Sequence, residues 1–448
     1  METGLEPDVV RVSLASYASL LRGNRNFRRL WMAQIVSEVG DWFYSLAIYT
    51  LLLQLTGRAQ SVALALVLQV LPQTFIGPAA GVVNDRVRRK QVMITADLTR
   101  MVIVLAMLLV RSRSMVWLVY PLLLLETVMA AFFEPARSAV IPNITSREDL
   151  VVANTLSSTT WSVNLLLGAT LGGLVAAWLG RDAVFVLNGF SFLASALLIR
   201  GMRFQEPHAE SSPRLRLREL VDFSPIVEGF RYVRSRSRLL ATVFVKAGMF
   251  VIGPSWVVFT VMGQRDFPVR WHGIDAQRGA MLGMSLLMGA RGVGAMLGPL
   301  LSAPWVGHFE RRLRLAILVG YLAEALGYAA LGKAGALWLA CLCVVVAHCG
   351  GSSVWVFSTT LLQLNTDDRF RGRVFAADNG LCMLTIAVGA FLAGRFIDWG
   401  FSARSIASAA GLLMLIPALV WAWSMRTWSK TQNQNTGDTK GAEELRLR

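Results

Sequence analysis

The chain has 448 residues, of which 54% are hydrophobic and only 16% charged, and its mean hydropathy is +0.51. A soluble protein carries about 25% charged residues and would divide this length into two or three aqueous domains, so that class is excluded. The net charge of +16 would suggest nucleic acid in a soluble chain, and here its placement decides its meaning. A membrane helix needs about 20 apolar residues, so a dozen would use about 240 and leave about 200 for loops and tails. Stretches such as 101–110 and 407–423 are apolar all round rather than alternating, which excludes a membrane barrel.

In chain order, residues 1–26 carry Arg11, Arg22 and Arg25 without a continuous apolar core or a small-residue cleavage site, so no cleaved leader is expected. Apolar stretches then predict helices at 27–55, 60–83, 91–111, 115–134, 150–179 and 182–200. Six more follow at 239–262, 279–304, 313–332, 335–362, 373–398 and 403–426. The expectation is an all-α polytopic membrane protein. Its twelve transmembrane helices form two six-helix bundles, at 24–200 and 239–428. A tail at 1–23 precedes them, and a linker at 201–238 joins them. Within the linker, Ser224-Pro225 starts a short interfacial helix with Val227, Phe230 and Val233 on one face. The tail at 429–448 is polar, contains no aromatic residue and is expected to be disordered.

The basic residues are distributed by side. Of 44 Lys and Arg, 31 fall in the two tails and alternate loops, 9 in the opposite loops, and 4 (Arg100, Lys246, Arg291 and Arg395) within or at the edge of spans. This asymmetry places both termini in the cytoplasm of a multi-pass cell-membrane protein, with the bacterial inner membrane expected. It also accounts for the charge without nucleic acid. Cys341, Cys343, Cys349 and Cys382 all lie in apolar segments and suggest neither disulfides nor zinc.

The halves echo each other. Gly77-Pro78 matches Gly298-Pro299, and Gly168-Ala169, Gly173 and Trp178 match Gly389-Ala390, Gly394 and Trp399, both at an offset of 221 residues. A duplicated six-helix unit is a transporter pattern. The run Gly81-Val82-Val83-Asn84-Asp85-Arg86-Val87-Arg88-Arg89-Lys90 resembles the loop signature G-x-L-a-D-r-x-G-r-r of the major facilitator superfamily. Val83 stands in its Leu slot and Arg88 in its second Gly slot. Asn24 to Arg29 leading into Ser37-Glu38-Val39-Gly40-Asp41, Leu55-Thr56-Gly57, Pro135-Ala136-Arg137 with Ile141-Pro142, Ala153-Asn154 and Glu228-Gly229-Phe230-Arg231-Tyr232 look like its branch of macrolide-efflux and enterobactin-type siderophore exporters. Ala169 replaces the proline of the antiporter signature in the fifth helix, so that motif does not itself carry the direction of transport.

An ionised side chain near the bilayer centre costs about 2.5–3.5 kcal/mol on insertion scales, so each needs a partner, a cavity or a proton. Glu38 and Asp41 lie three residues apart on one face of the first helix, with Gln34 one turn earlier. Two carboxylates that close repel when both are ionised, which favours a shared proton. The plainer alternative is a polar face bonded to a neighbouring helix. Glu126 in the fourth helix is a third proton-coupling candidate.

Arg291, in a glycine-rich stretch, can receive an anionic substrate group or pair with Glu324. Trp256 and Trp355 suit an amphipathic ligand, and with Gln34 and Arg291 they are the substrate-cavity candidates. Lys246 lies near a span end, where its stem can snorkel.

The family resemblance implies that Gly81, Asp85, Arg86, Arg89 and Lys90 form a gating loop whose charges latch the halves on the cytoplasmic side. Asp378 and Asp97 are candidate partners.

Enzyme chemistry is not indicated. His208, His272, His308 and His348 are scattered, no metal spacing and no GxxxxGK[ST] loop is present, and no cofactor is implied. The expected function is proton-coupled export of a small amphipathic molecule, drug or siderophore-like, by a monomer embedded in membrane lipids and working by alternating access. The alternatives are an uptake carrier or lysolipid flippase of the same fold, and a non-transporting scaffold.

Overall fold

The computed structural model describes residues 14–146, 149–206, 224–270, 272, 275–306, 309–366 and 368–426. The expected tails to residue 13 and from 429, and linker residues 207–223, lie outside them. Every regular element among the described residues is helical. The first seven α-helices are α1 (Leu14–Gly23), α2 (Arg25–Thr56), α3 (Ala59–Arg86), α4 (Arg89–Ala106), α5 (Val119–Ile144), α6 (Leu150–Leu179) and α7 (Arg181–Arg200). They are followed by α8 (Ser224–Arg234), α9 (Ser237–Gly248), α10 (Ile252–Arg265), α11 (Ala276–Val306), α12 (Glu310–Leu331), α13 (Leu337–Asn365), α14 (Asp368–Asp398) and α15 (Ala403–Leu413). After Met414 the last helical course resumes and reaches Arg426.

Among the described residues, nine helical stretches are long and apolar enough to cross a membrane. Large apolar side chains such as Trp117, Trp178, Trp338 and Trp423 stay exposed, a surface suited to lipid rather than water.

Local chemistry sets the helix ends. Asn24 caps α2 by accepting from the Phe27 N–H at 2.9 Å, and its amide donates to the Ile144 carbonyl at 2.5 Å. Gly57 ends α2 at φ +69°, a left-handed conformation that only glycine adopts without strain.

Two expected spans are less regular than their hydropathy implied. The fourth begins as a 3-10 helix over Arg113–Leu118 before α5. The seventh is interrupted at 249–251 between α9 and α10. Pro254 has no N–H to give to the Phe250 carbonyl, and a Cβ on Gly389 would sit 2.6 Å from that oxygen, so α14 can close on the break only because residue 389 is glycine.

The chain forms two compact units, residues 1–223 with 259–292, and 224–258 with 293–448. In the first unit α2 packs on α6 and α7, α4 on α5 and α7, and α3 on α5, around Phe27, Leu30, Met93, Phe133 and Ile199. A side chain at Gly40 would collide with Asn188 and Ser191, so glycine sets how closely α2 approaches α7. In the second unit α12 packs along α13 and α15, while α9 rests on α13 and α14. Val233 is buried with Leu239, Val243, Leu362 and Val374, whereas Val227 and Phe230, on the same expected face of α8, are exposed.

Candidate functional site

The polar residues of α2 divide between two neighbours. Gln34 donates to Glu38 Oε1 at 2.8 Å and to the Ser157 carbonyl at 3.0 Å, and Asn164 on α6 donates to Glu38 Oε2 at 2.8 Å. Trp31 donates to Thr160 at 2.8 Å, and Trp42 meets Trp161 edge to face at 6.5 Å. Glu38 is thus held in an amide network against α6, and Arg137, paired with Glu134 at 2.7 Å, is the cation whose charge reaches it.

Asp41 faces another way, toward a guanidinium on α4. Arg100 lies 2.6 Å from Asp97, 3.5 Å from Asp41 and 3.9 Å from Glu126. Asp97 also accepts from Ser195 of α7 at 2.6 Å, and the Arg100 guanidinium stacks over Phe192 and Phe133 at 4.2 and 4.8 Å. The cluster therefore ties α2, α4, α5 and α7 together. Asp97 is wholly buried, whereas the Asp41 side chain is 35% exposed with its Oδ1 enclosed, so Asp41 is the most accessible carboxylate of the cluster.

Asp41 faces Arg100 at 3.5 Å, while Glu38 is bonded to Gln34 and Asn164, so the two carboxylates of α2 turn to different partners. Arg100 is the site residue that sequence reasoning passed over. Its signal was present as an Asp97–Arg100 pair at i,i+3 within one span.

The second unit holds its own buried pair. Lys246 donates to Asp378 at 2.5 Å, lies 4.8 Å from the Trp355 ring centroid and 5.8 Å from that of Phe375, and is only 4% exposed. Lys246 therefore does not snorkel to a membrane surface. With Asp97 bonded to Arg100 and Asp378 to Lys246, neither proposed partner of the loop cluster is unengaged. Glu324 is fully buried on α12 near Gly351 of α13, and His348 is bonded to Tyr328 at 2.9 Å. Arg291 lies half-buried in the first unit, where its charge reaches Tyr49, and Trp256 is half-buried on α10.

The loop after α3 is anchored mainly on backbone oxygens. Arg89 lies 3.6 Å from Asp85 and donates to the carbonyls of Asn84 at 3.2 Å and Ala139 at 3.0 Å. Lys90 Nζ donates to the Met202 carbonyl at 2.7 Å, just past the end of α7. Helix ends leave carbonyls unsatisfied, and a cationic donor suits them. The Asp85 side chain is 74% exposed, and open space surrounds Gly81. Arg86 lies beside Asp85 at the end of α3.

A profile of the family described as "Transmembrane secretion effector" matches residues 15–445. Macrolide efflux protein A of Streptococcus pyogenes is 24% identical over 380 residues, covering 83% of this chain and 89% of that protein. The class C tetracycline resistance protein of Escherichia coli is 29% identical over 378 residues, covering 81% and 87%. Among solved structures, a bacterial homologue of the human lysosomal transporter Spinster, inward-facing and unoccupied, superposes with a TM-score of 0.64 at 17% identity, over 91% of this chain and 98% of that one. The nucleoside transporter NupG gives 0.66 at 11% identity, over 89% and 98%. The match along nearly its whole length places the chain in the transmembrane secretion effector family of major facilitator superfamily transporters.

Proposed function

We propose that this transporter drives a small amphipathic molecule out of the cell against the entry of protons, by alternating access, as a monomer. Twelve membrane helices in two six-helix bundles, with both termini cytoplasmic, complete the reading. The observation that carries it is the sharing of Arg100 by Asp41, Asp97 and Glu126, of which Asp41 has the most exposed side chain.

Three carboxylates around one guanidinium leave a surplus of negative charge in a poorly solvated place, and a proton is the smallest species that removes it. A proton on Asp41 also removes its attraction for Arg100, leaving the guanidinium to Asp97 and Glu126. Charge on a side chain of α2 is thereby linked to the hold between α2 and α4. Moving one charge across 100 mV is worth about 2.3 kcal/mol, enough to concentrate a neutral substrate almost fiftyfold. The Trp42–Trp161 pair and the amide network around Glu38 supply adjacent apolar and polar surface for such a substrate. The efflux proteins among the relatives favour the outward direction.

Everted membrane vesicles energised by respiration test this reading, with a macrolide and a tetracycline as probes. The wild-type protein is expected to release protons when a probe is added, and to accumulate the probe until a protonophore is supplied. Asp41→Asn, a mimic of the protonated form, should keep downhill exchange and lose accumulation. If Asp41→Asn still accumulates a probe in a protonophore-sensitive way, the coupling site is elsewhere and Glu126 is the next residue to replace.

A further inference from the structure

We infer that the first unit carries a binding site for the phosphate headgroup of an anionic phospholipid, independent of the exported substrate and of the coupling ion. A cavity of about 860 Å3 opens beside α1, the start of α2 and the end of α7. Arg25, Arg29, Arg200 and Arg203 line it, and Asp149 is the one acid among the lining residues. Asp149 is engaged locally, accepting from the Ser146 hydroxyl at 2.9 Å and donating its own N–H to that hydroxyl at 3.1 Å. None of the four arginines pairs with a carboxylate among the described residues. Arg29 donates to the Gly201 carbonyl instead.

The walls are held without the other three guanidinium groups. Asn24 donates to the Ile144 carbonyl at 2.5 Å, and Asn26 exchanges two bonds with the Arg203 backbone, at 2.6 and 3.0 Å. The N-terminal end of α2 and the C-terminal ends of α1 and α7 meet at this cavity, so their dipoles largely offset and its positive charge comes from the arginines. The result is a concavity in the ordinary size range of ligand sites, with an excess of positive charge. Its guanidinium groups can each bind phosphate oxygens in pairs.

The apolar surface beside the cavity distinguishes a lipid from a free anion. Leu187, Phe190 and Leu197 are exposed on α7 at helical spacing, and the same face ends at Arg200. From Leu187 to Arg200 the helix rises about 20 Å. That matches the depth of one leaflet, about half of the ~30 Å hydrocarbon core plus part of the headgroup layer. A phosphate in the cavity therefore has a strip for its acyl chains directly below it, and basic pockets at helix ends are the arrangement that takes anionic headgroups.

Purified full-length protein in detergent provides the test, read by native mass spectrometry and by thermal stability. The probes are tetraoleoyl cardiolipin, dioleoyl phosphatidylglycerol, dioleoyl phosphatidylethanolamine, dihexanoyl phosphatidylglycerol and inorganic phosphate. The two long-chain anionic lipids should bind at least tenfold more tightly than the zwitterionic one, whose phosphate carries the same single charge but brings an ammonium group that the four guanidinium groups repel. The short-chain lipid and free phosphate should be at least tenfold weaker. Arg200→Gln with Arg203→Gln should remove the preference for anionic lipid and leave the Asn26 bonds to the backbone intact. Arg25→Gln alone should reduce it and serves as the reading if the double variant does not fold. Equal binding of phosphatidylethanolamine, or unchanged preference in the folded variants, overturns the proposal. Stabilisation by phosphate as strong as that by cardiolipin overturns it in favour of a soluble-anion site.

Discussion

Asp97 and Asp41 both face Arg100, and replacing each by asparagine should separate a structural role from a coupling role. At an effective dielectric of about 20, the 2.6 Å contact to Asp97 corresponds to an attraction of about 6 kcal/mol and the 3.5 Å contact to Asp41 to about 5 kcal/mol. The surroundings then divide them. Asp97 is wholly buried and bonded to Ser195, whereas Asp41 is 35% exposed, and in water the same 3.5 Å contact falls to about 1 kcal/mol. Breaking a buried pair by removing one partner costs about 3–5 kcal/mol. Asp97→Asn is expected at the low end, about 3 kcal/mol, because Asp41 and Glu126 still serve the guanidinium. Asp41→Asn should cost about 1–2 kcal/mol and abolish proton-driven accumulation. The assay pairs thermal unfolding in detergent with proton release in energised vesicles. Equal destabilisation by both variants would refute the division, as would an Asp97→Asn protein of normal stability that has lost coupling.

Three further outcomes follow from the buried pairs and close helix contacts. Asp378→Asn leaves Lys246 buried without its carboxylate and should lower stability by about 3–5 kcal/mol, while Lys246→Met combined with Asp378→Asn should recover most of it, as a double-mutant cycle will show. Asp85→Asn should reduce transport at near-normal expression, because the exposed carboxylate belongs to a loop fastened independently by Arg89 and Lys90; unchanged flux would remove Asp85 from gating. Gly327→Ala would put a Cβ 2.6 Å from the Ala347 nitrogen and should cost about 1–3 kcal/mol by forcing α12 and α13 apart, measured as a lowered unfolding midpoint.

The helical, membrane-embedded character of the chain was legible in its residues, because a bilayer imposes length and apolarity on each crossing and those properties are local. The transporter family was legible for a related reason: Asn24, Gly57 and the Gly81–Lys90 loop act through caps, turns and short contacts encoded within a few positions. The mid-span acids Glu38, Asp41 and Glu126 stood out because buried charge is costly. Their partners did not stand out. Asp41 and Glu38 are three residues apart, yet one turns to Arg100 on α4 and the other to Asn164 on α6, a division fixed by where the neighbouring helices pack. Lys246 sits close enough to a span end to suggest snorkelling, and only the packing of α9 on α14 brings Asp378 within 2.5 Å. The close approach of α14 to the break after α9 likewise depends on Gly389, more than a hundred residues away, beside a carbonyl that Pro254 cannot serve. Sequence alone determined that the chain is helical and apolar enough to cross a membrane many times, and which residues are too polar to lie there unpaired. Tertiary structure decided the pairings, because a charge on one helix meets its partner through packing between segments far apart in the chain.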